Sequence, residues 1–401
     1  MHMKILMINF PAEGHVNPTL GMVEGFTNHG DEVHYITTEQ FKERLEGVGA
    51  AVHLQTDWLQ IYPPEINSAK GLNNFLKVHI QTSLDTLQIT EKLARDHHFD
   101  FVFFDRFGAG ELVKDYLEIP GVSSSASFLM PETVMKQLPL HPDSEVPFQL
   151  DEETTSMLQA LKDRYGVQPN SLLQFMTNTG DLQIVYTSQY FQPNSEQFGE
   201  ENLFIGPSFP ERKGSQGFPI EELKDEKLLY ISMGTVLDNQ EEFINMCIEA
   251  FMNFNGIVVI SIGKADSAKL KAAPAHIWLR RYVPQLEVLE KADVFITHGG
   301  MNSVNEAIHY HVPMVVIPHD KDQPLVASRL TELGAGYCLS KDSLTAAKLL
   351  FAVEEVLEKE KYMEGIHKID ESFKASGGVP KAIKIVKNYL SSGFENEYET
   401  H

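Results

Sequence analysis

The feature that most constrains the fold is a unit of apolar strand, short turn and helix that occurs in both halves of the chain. Near the start, Lys4 to Phe10 is a compact apolar run, followed by a turn with Pro and Gly and by a helical pattern from Pro18 to His29. In the second half, Leu228 to Ser232 leads into the loop Met233-Gly234-Thr235. Strands that alternate with helices form parallel sheets covered by helices on both faces. The pattern therefore predicts two doubly wound α/β domains.

The length of the chain also favours two domains. Its 401 residues exceed what one hydrophobic core usually organises. A charged stretch rich in Pro and Gly, Gly206 to Pro219, is typical of a linker. The polar, acidic end of the chain is typical of a disordered tail. We expect a first domain at 1–207, a linker at 208–226, a second domain at 227–379, a terminal helix at 380–392 and a tail at 393–401.

The composition excludes several classes of partner. The formal net charge is −23, which repels nucleic acid and anionic membranes. The first apolar run is too short for a signal peptide, and no stretch has the length of a membrane span. Two cysteines, Cys247 and Cys338, are too few for a disulfide framework, and we expect buried thiols in a reducing compartment. These features favour a cytoplasmic protein.

Two polar residues of the first half stand at the ends of apolar strands. The turn after the first strand contains His15 and Asn17, and Asp105 follows the strand from Phe101 to Phe104. In an open parallel sheet, ligands bind at the carboxyl ends of the strands, so His15 and Asp105 should face the same cleft. An aspartate beside a histidine fixes the tautomer of the ring and stabilises its charged form. Each residue, Asn17 included, has a structural alternative as a helix cap.

A Gly-Gly turn between a strand and a helix marks the second half. The apolar run from Val294 to Ile296 leads through His298 into Gly299-Gly300 and a helical pattern that carries Glu306. Backbone N–H groups and the positive end of a helix dipole meet at such a turn, which suits a phosphate. A carboxylate further along the helix is able to accept both hydroxyls of a ribose. The turn alone is a weak signal, because glycine serves many turns.

The wider stretch from Tyr282 to Gln323 resembles the donor-binding box of family 1 UDP-sugar-dependent glycosyltransferases, a type shared by plant natural-product enzymes and bacterial macrolide glycosyltransferases. The phosphate histidine, an Asn-Ser pair, the ribose glutamate and a terminal Asp-Gln occur in the same order. Plant relatives usually carry Trp where Tyr282 stands. The resemblance implies these donor contacts: Tyr282 on the uracil ring, the Val283 backbone on the base edge, Gln285 and Glu306 at the ribose, His298, Asn302, Ser303 and the Gly300 backbone at the diphosphate, and Asp322 and Gln323 on the sugar hydroxyls.

The same resemblance implies the GT-B architecture, in which two Rossmann-like domains face each other and a terminal helix crosses back onto the first. It implies that the first domain binds the acceptor and the second binds the UDP-sugar. His15 matches the catalytic base of the family, and Asp105 matches its carboxylate partner. Asn17 and Thr235 are further candidates near the diphosphate, one from each domain.

The implied reaction is inverting transfer of a hexose, such as glucose, from a UDP-sugar to a hydroxyl of a hydrophobic acceptor such as a flavonoid or a macrolide. The acceptor pocket is expected in the middle of the first domain, at 57–95 and 128–178. Apolar side chains that we expect to be exposed there, although such residues are also typical of plain core, are Trp58, Phe75, Phe128, Met130, Phe148 and Phe175.

No metal or other cofactor is expected. No Asp-x-Asp pair stands in a setting that favours a cation. The histidines at His97-His98 and at His309 to His311 lack further ligands at a suitable spacing, which indicates surface positions.

Two alternatives to the transferase remain open at this level. A UDP-sugar 2-epimerase-like enzyme shares twin Rossmann-like domains and a diphosphate site, but it needs no hydrophobic acceptor. A nucleotide-sugar binding protein without activity needs neither His15 nor Asp105. Product analysis with and without an acceptor separates these functions.

Overall fold

The computed structural model describes residues 2–62, 69–138, 140–143, 148–209, 217–223, 226–234, 240–320 and 322–398. The chain forms two compact units. The first contains Met1–Pro210 together with Ser376–His401, and the second contains Glu211–Ala375. The change between units thus falls inside the predicted linker, and the return to the first unit comes four residues before the predicted terminal helix.

The strands of the described residues form two sheets in which every neighbouring pair is parallel. They are β1 Lys4–Ile8, β2 Glu32–Thr37, β3 Ala51–Leu54, β4 Phe101–Asp105, β5 Gly121–Ser125, β6 Leu182–Val185, β7 Asn202–Phe204, β8 Leu228–Ser232, β9 Ile257–Ser261, β10 Ile277–Arg280, β11 Val294–Thr297, β12 Met314–Val316 and β13 Gly336–Cys338.

Helices connect the strands within each sheet. The α-helices of the described residues are α1 Glu13–Asn28, α2 Lys42–Gly47, α3 Trp58–Ile61, α4 Ala69–Asp96, α5 Gly110–Leu117, α6 Glu132–Met135, α7 Glu152–Tyr165, α8 Gln240–Ala250, α9 Gln285–Leu289, α10 Met301–His309, α11 Gln323–Glu332, α12 Ala346–Glu358, α13 Glu360–Ala375 and α14 Gly378–Tyr398. Short 3-10 helices occur at Glu39–Phe41, Leu172–Met176, Ser195–Gln197, Ile220–Glu222, Ser267–Lys269 and Lys341–Ser343.

Both sheets have the strand order of a doubly wound fold. The first runs β3-β2-β1-β4-β5-β6-β7 and the second runs β10-β9-β8-β11-β12-β13. In each, the order reverses between the first strand and the fourth, and ligands of such sheets bind outside the carboxyl ends of the strands at that point. The prediction of two parallel Rossmann-like domains is confirmed. The loops after β1 and β4, and those after β8 and β11, are therefore the places to look for a site.

The central strands are buried on both faces, which explains why they are apolar at every position. In β1, Ile5 and Met7 belong to one core cluster, whereas Leu6 and Ile8 belong to another. Successive side chains of a strand point to opposite faces, so a strand with helices on both sides must be apolar throughout. This continuous pattern made the strands easy to predict from the sequence.

The last helix, α14, packs on the first unit. Its Ile383 and Val386 share a buried cluster with Met22 of α1. The Lys387 Nζ atom lies 2.7 Å from the Asp31 carboxylate. The helix continues to Tyr398, so the prediction that it ends at residue 392 and gives way to a tail is wrong.

Several local predictions also need correction. Helix α1 begins at Glu13 and not at Pro18, which lies inside it. Of the aromatic residues expected to be exposed, Phe75, Phe128 and Phe175 are buried, so the core alternative holds for them. Cys247 is buried as expected, but Cys338 is exposed. Among the described helices, none is both long enough and apolar enough to cross a membrane.

Candidate active site

His15 and Asp105 meet at the switch point of the first sheet. His15 lies in the first turn of α1, just after β1, and Asp105 is the last residue of β4. Because β1 and β4 are hydrogen-bonded neighbours, their carboxyl ends lie side by side. The His15 Nδ1 atom lies 2.5 Å from the Asp105 Oδ2 atom. Neither residue serves as the N-cap of the following helix, since Ala12 and Ala109 hold those positions.

The surroundings hold this pair in place. The side chain of Asp105 is only 2% exposed, whereas that of His15 is 23% exposed. The Asn9 side chain, which is buried, donates to the His15 carbonyl at 3.2 Å. The rings of Phe10 and Phe107 meet the His15 ring edge to face, with centroids 5.4 and 4.8 Å away. The ring therefore has a fixed orientation with one edge against a buried carboxylate.

This geometry suits a general base. When Asp105 accepts the Nδ1 proton, the Nε2 atom of the neutral ring carries the lone pair. The carboxylate then stabilises the imidazolium that forms when Nε2 takes a proton. The arrangement is thus able to remove a proton from a hydroxyl group placed beside His15.

A buried arginine stands next to the pair and was missed in the sequence. Arg106 follows Asp105 directly and is 8% exposed. Burial lowers the pKa of Arg106 to about 10, and the charge of Asp105 partly opposes that shift. The group remains protonated at neutral pH, so a positive charge lies next to Asp105. The sequence feature that could have revealed this arginine is the pair of adjacent charged residues, Asp105 and Arg106, at the end of an apolar strand.

His79, on α4, is a second group that the sequence analysis missed. It is fully buried, and its ring stacks on Phe10 at 4.9 Å and meets Phe75 edge to face at 4.4 Å. Neither of its ring nitrogens has a hydrogen-bond partner among the described residues. Burial, and to a smaller extent the nearby His15, lowers the pKa of His79 to about 3. The ring is therefore neutral under physiological conditions, and no periodicity distinguishes it from the apolar residues around it.

His79 should make the protein sensitive to acid. An unfolded chain protonates this histidine near pH 6.5, but the folded chain does so only near pH 3. The contribution of His79 to the free energy of unfolding is complete above its pKa in the unfolded chain. This contribution is lost as the pH falls towards its pKa in the folded chain. At about pH 5 the loss is on the order of 2 kcal/mol. In urea unfolding at neutral and acid pH, His79→Leu should lose less stability than the wild type, and the exposed His98→Leu should behave like the wild type. If acid lowered the free energy of unfolding equally in all three proteins, His79 would not be a source of the acid sensitivity.

Asn17 and Thr235 are the two remaining candidates for contact with the diphosphate. Asn17 lies inside α1, so the cap alternative is wrong for it, and its Oδ1 atom accepts a hydrogen bond from Arg44 at 2.9 Å. Its predicted contact with the diphosphate stays a prediction. Thr235 lies outside the described residues.

In the second unit, His298 sits in a slot lined by glycine backbone. It follows β11 and precedes α10, whose N-cap residue is Gly300. A Cβ atom built on Gly300 would lie 2.6 Å from the His298 Nε2 atom, and one on Gly234 would lie 2.8 Å from Cε1. Any larger residue would displace the ring. Since Gly300 has no side chain to cap the helix, the first turn of α10 presents its N–H groups beside this ring, a setting that suits a phosphate.

A hydrogen-bonded network places Glu306 behind this turn. The buried Tyr230 hydroxyl donates to Gln285 Oε1 at 3.2 Å, which orients the Gln285 amide. The Gln285 Nε2 atom then donates to Glu306 Oε2 at 2.6 Å and to Ser303 Oγ at 3.0 Å. Burial raises the pKa of Tyr230, with a smaller contribution from Glu306, so its hydroxyl stays a donor. Three predicted donor residues thus lie in one network.

The other predicted donor residues differ in how exposed their side chains are. Tyr282 is 70% exposed and so presents a bare ring, whereas Val283 is buried and Asn302 is half-buried in the first turn of α10. Asp322 is the N-cap residue of α11. Gln323 is buried, and its Oε1 atom accepts a hydrogen bond from the His319 backbone N–H at 2.9 Å. This hydrogen bond would have to break before Oε1 accepted one from a sugar hydroxyl.

Comparison with known proteins identifies the family of this chain. Residues 245–390 match the family described as the C-terminal domain of erythromycin biosynthesis protein CIII-like proteins. The chain is 60% identical to an uncharacterised UDP-glucosyltransferase, YdhE, of Bacillus subtilis, over 92% of this chain and 94% of that protein. It belongs to the family 1 UDP-glycosyltransferases.

Two further relatives agree with this assignment. This glycosyltransferase is 34% identical to the NDP-glycosyltransferase YjiC of Bacillus subtilis, over 96% of this chain and 97% of that protein. The crystal structure of CalG4, the calicheamicin glycosyltransferase, matches 97% of this chain and 98% of its own, with a TM-score of 0.81 and 28% identity. The resemblance to family 1 enzymes and the GT-B fold are thereby confirmed. The protein is a UDP-dependent glycosyltransferase, so a binding protein without activity is not supported.

Proposed function

We propose that this glycosyltransferase moves glucose from UDP-glucose to a hydroxyl group of a hydrophobic small molecule, with inversion at the anomeric carbon and with His15 as the base. The observation that carries the proposal is the His15 and Asp105 pair, 2.5 Å apart at the switch point of the first sheet. Glucose is favoured because the relative with 60% identity is named a UDP-glucosyltransferase.

The proposed step is a single displacement. The acceptor O–H bond breaks and its proton moves to His15 Nε2, while the oxygen forms a bond to the anomeric carbon. The bond from that carbon to the phosphate oxygen breaks, and UDP leaves with the electron pair. Asp105 is 2% exposed behind His15, so it is not placed to attack the sugar as a nucleophile. Direct attack on the face opposite the leaving group inverts the configuration.

The second unit supplies groups for the donor. His298 and the first turn of α10 would meet the charge that develops on the diphosphate. Glu306 would accept the ribose hydroxyls, with Gln285 holding its carboxylate. The exposed ring of Tyr282 would stack on the uracil, and Asp322 and Gln323 would bind the sugar.

The first unit favours an acceptor with an aromatic or otherwise apolar body. Phe10 and Phe107, both half-buried, flank the ring of His15. Aromatic rings of this kind pack on flat or apolar molecules and leave one hydroxyl directed at the base. The similar proteins named for erythromycin biosynthesis and calicheamicin support an acceptor of the natural-product class. Macrolides and flavonoids are the candidates.

The experiment that tests this function is an incubation with a panel of UDP-sugars and hydroxylated acceptors, read by mass spectrometry. We expect a mass gain of one hexose, with UDP-glucose as the best donor and phenolic or macrolide acceptors as the best substrates. Conversion of the UDP-sugar to an isomer without any acceptor would instead support the epimerase alternative. Transfer confined to water would contradict the acceptor proposal.

We further propose that transfer needs no divalent cation. The charge of the leaving UDP would be met by His298 and the N–H groups at the start of α10, which take the place that a metal fills in other transferases. The rate of transfer should be unchanged after treatment with EDTA. A rate that falls with EDTA and returns when Mn²⁺ is added would contradict this.

A further inference from the structure

We propose that Glu32, His34 and His97 form a binding site for a divalent transition metal ion of the zinc class, at the end of the first sheet opposite to His15. Glu32 and His34 lie at the start of β2, and His97 follows α4. His15, in contrast, lies after the carboxyl end of the neighbouring strand β1. The site is therefore separate from the catalytic pair and goes beyond the proposed function.

The ligand atoms of these three residues are already close together. One ligand atom from each lies within 4.8 Å of the others. The His34 Nε2 atom is 2.6 Å from Glu32 Oε1, and the His97 Nδ1 atom is 3.9 Å from the same oxygen. The rings of His34 and His97 have centroids 4.3 Å apart. A tetrahedral zinc ion, with bonds of about 2.0–2.2 Å to nitrogen and oxygen, would need only small side-chain rotations to reach all three.

A third histidine orients the ligand that is most deeply buried. His34 is 4% exposed, and its Nδ1 atom lies 3.0 Å from His53 Nε2 on strand β3. When a metal occupies His34 Nε2, the proton of that ring resides on Nδ1 and is donated to His53. Histidine ligands usually donate their second ring N–H to such a partner, which fixes the tautomer and the ring plane.

The same ligands already bind a cationic group of the protein. The Lys4 Nζ atom lies 3.1 Å from Glu32 Oε2 and donates to His97 Nδ1 at 3.1 Å. These atoms thus face a common point that attracts positive charge. Because Glu32 is half exposed, at 51%, an ion from solvent is able to reach that point and displace the ammonium group. Two imidazoles and one carboxylate, with a position left for water, favour zinc over magnesium or calcium.

The sequence did not reveal this cluster. His97 was interpreted as a surface residue without further ligands; its side chain is indeed partly exposed, at 27%, but the expectation that no ligand lies near it is wrong, because Glu32 and His34 do. Residues 32, 34, 53 and 97 belong to three separate segments that only the parallel pairing of β1, β2, β3 and β4 brings together. His98, by contrast, is exposed as expected.

The test is a titration of the purified full-length chain with ZnCl₂, followed by calorimetry and by thermal unfolding. We expect one saturable site per chain and a Tm that rises with the zinc concentration, because an ion that binds only the folded state stabilises it. Titration with Co²⁺ provides an independent signal, since a site with four nitrogen and oxygen ligands gives visible absorption.

Matched variants decide between this site and adventitious binding. His97→Gln and Glu32→Gln remove partly exposed ligands without disturbing the core, and each should weaken zinc binding by about tenfold or more. His98→Gln should bind zinc like the wild type, and Lys4→Met should bind it more tightly because the competing ammonium is gone. Absence of a saturable site, or equal affinities in His97→Gln and His98→Gln, would overturn the proposal. The network would then be a hydrogen-bonded structural feature held by Lys4.

Discussion

Replacing His15 with alanine is expected to lower kcat for glycosyl transfer by about a hundredfold to ten-thousandfold while the Kd for UDP stays nearly the same. The physical reason is the division of chemistry between the two units. In the proposed mechanism His15 takes the proton of the acceptor, whereas the proposed nucleotide contacts come mainly from Tyr282 to Gln323, which belong to the second unit. The measurement is kcat on a phenolic acceptor together with a calorimetric titration of UDP.

The partner of His15 should share most of this loss. Asp105→Asn keeps the shape of the side chain but removes the charge that supports the imidazolium, and it leaves the tautomer poorly defined. Because the two residues act as a unit, the double variant should be little slower than the slower single variant. Losses that multiply in the double variant would show that His15 and Asp105 act separately.

An acceptor that is already ionised provides the control for the base assignment. Such an acceptor has no proton to lose, so His15→Ala should slow its reaction much less than that of an un-ionised hydroxyl. Near-native kcat of His15→Ala on an un-ionised acceptor would contradict the role of His15. A fall in UDP affinity as large as the fall in rate would place His15 in donor binding or in the structure.

The second large effect is expected for Glu306. Its carboxylate is proposed to accept the ribose hydroxyls, and hydrogen bonds to a charged group contribute about 1.5 to 3 kcal/mol. Glu306→Ala should therefore weaken UDP binding by roughly tenfold to a hundredfold, measured by calorimetry. Glu306→Gln keeps the size of the side chain and removes its charge, which separates the loss of charge from a change in packing.

Two neighbours serve as comparisons for Glu306. Gln285 holds the carboxylate through a 2.6 Å hydrogen bond, so Gln285→Ala should weaken UDP binding, but less than Glu306→Ala does. Glu290, exposed at the end of α9, should have no effect when changed to alanine. A folded Glu306→Ala protein with unchanged UDP affinity would remove Glu306 from the site.

Much of the fold, and the proximity of His15 and Asp105, was predictable from local patterns and one topological rule. The apolar runs of β1, β4, β8 and β11 identify buried parallel strands, and the rule for strand ends places His15 beside Asp105. In the second unit, the Gly-Gly turn before α10 and the resemblance carried by Tyr282 to Gln323 together indicate His298 as a phosphate ligand. These features are short in sequence, and each follows directly from the strand that precedes it.

The remaining features depend on packing between distant segments. The start of α1 at Glu13 was missed because Pro18 normally marks the beginning of a helix, yet the structure accommodates it inside one. The burial of Phe175 follows from its packing with Leu76 and Ile80 of α4 in one core cluster, which periodicity alone does not reveal. The burial of the His79 ring, which stacks on Phe10, also depends on packing between distant segments.

The most direct test of the central claim is the anomeric configuration of the product. Wild-type enzyme is incubated with UDP-α-D-glucose and a phenolic acceptor, and the coupling constant of the anomeric proton is measured by NMR. Direct displacement with His15 as the base predicts a β-glucoside as the product. An α-glucoside, or release of glucose without any glycoside of the acceptor, would contradict the account.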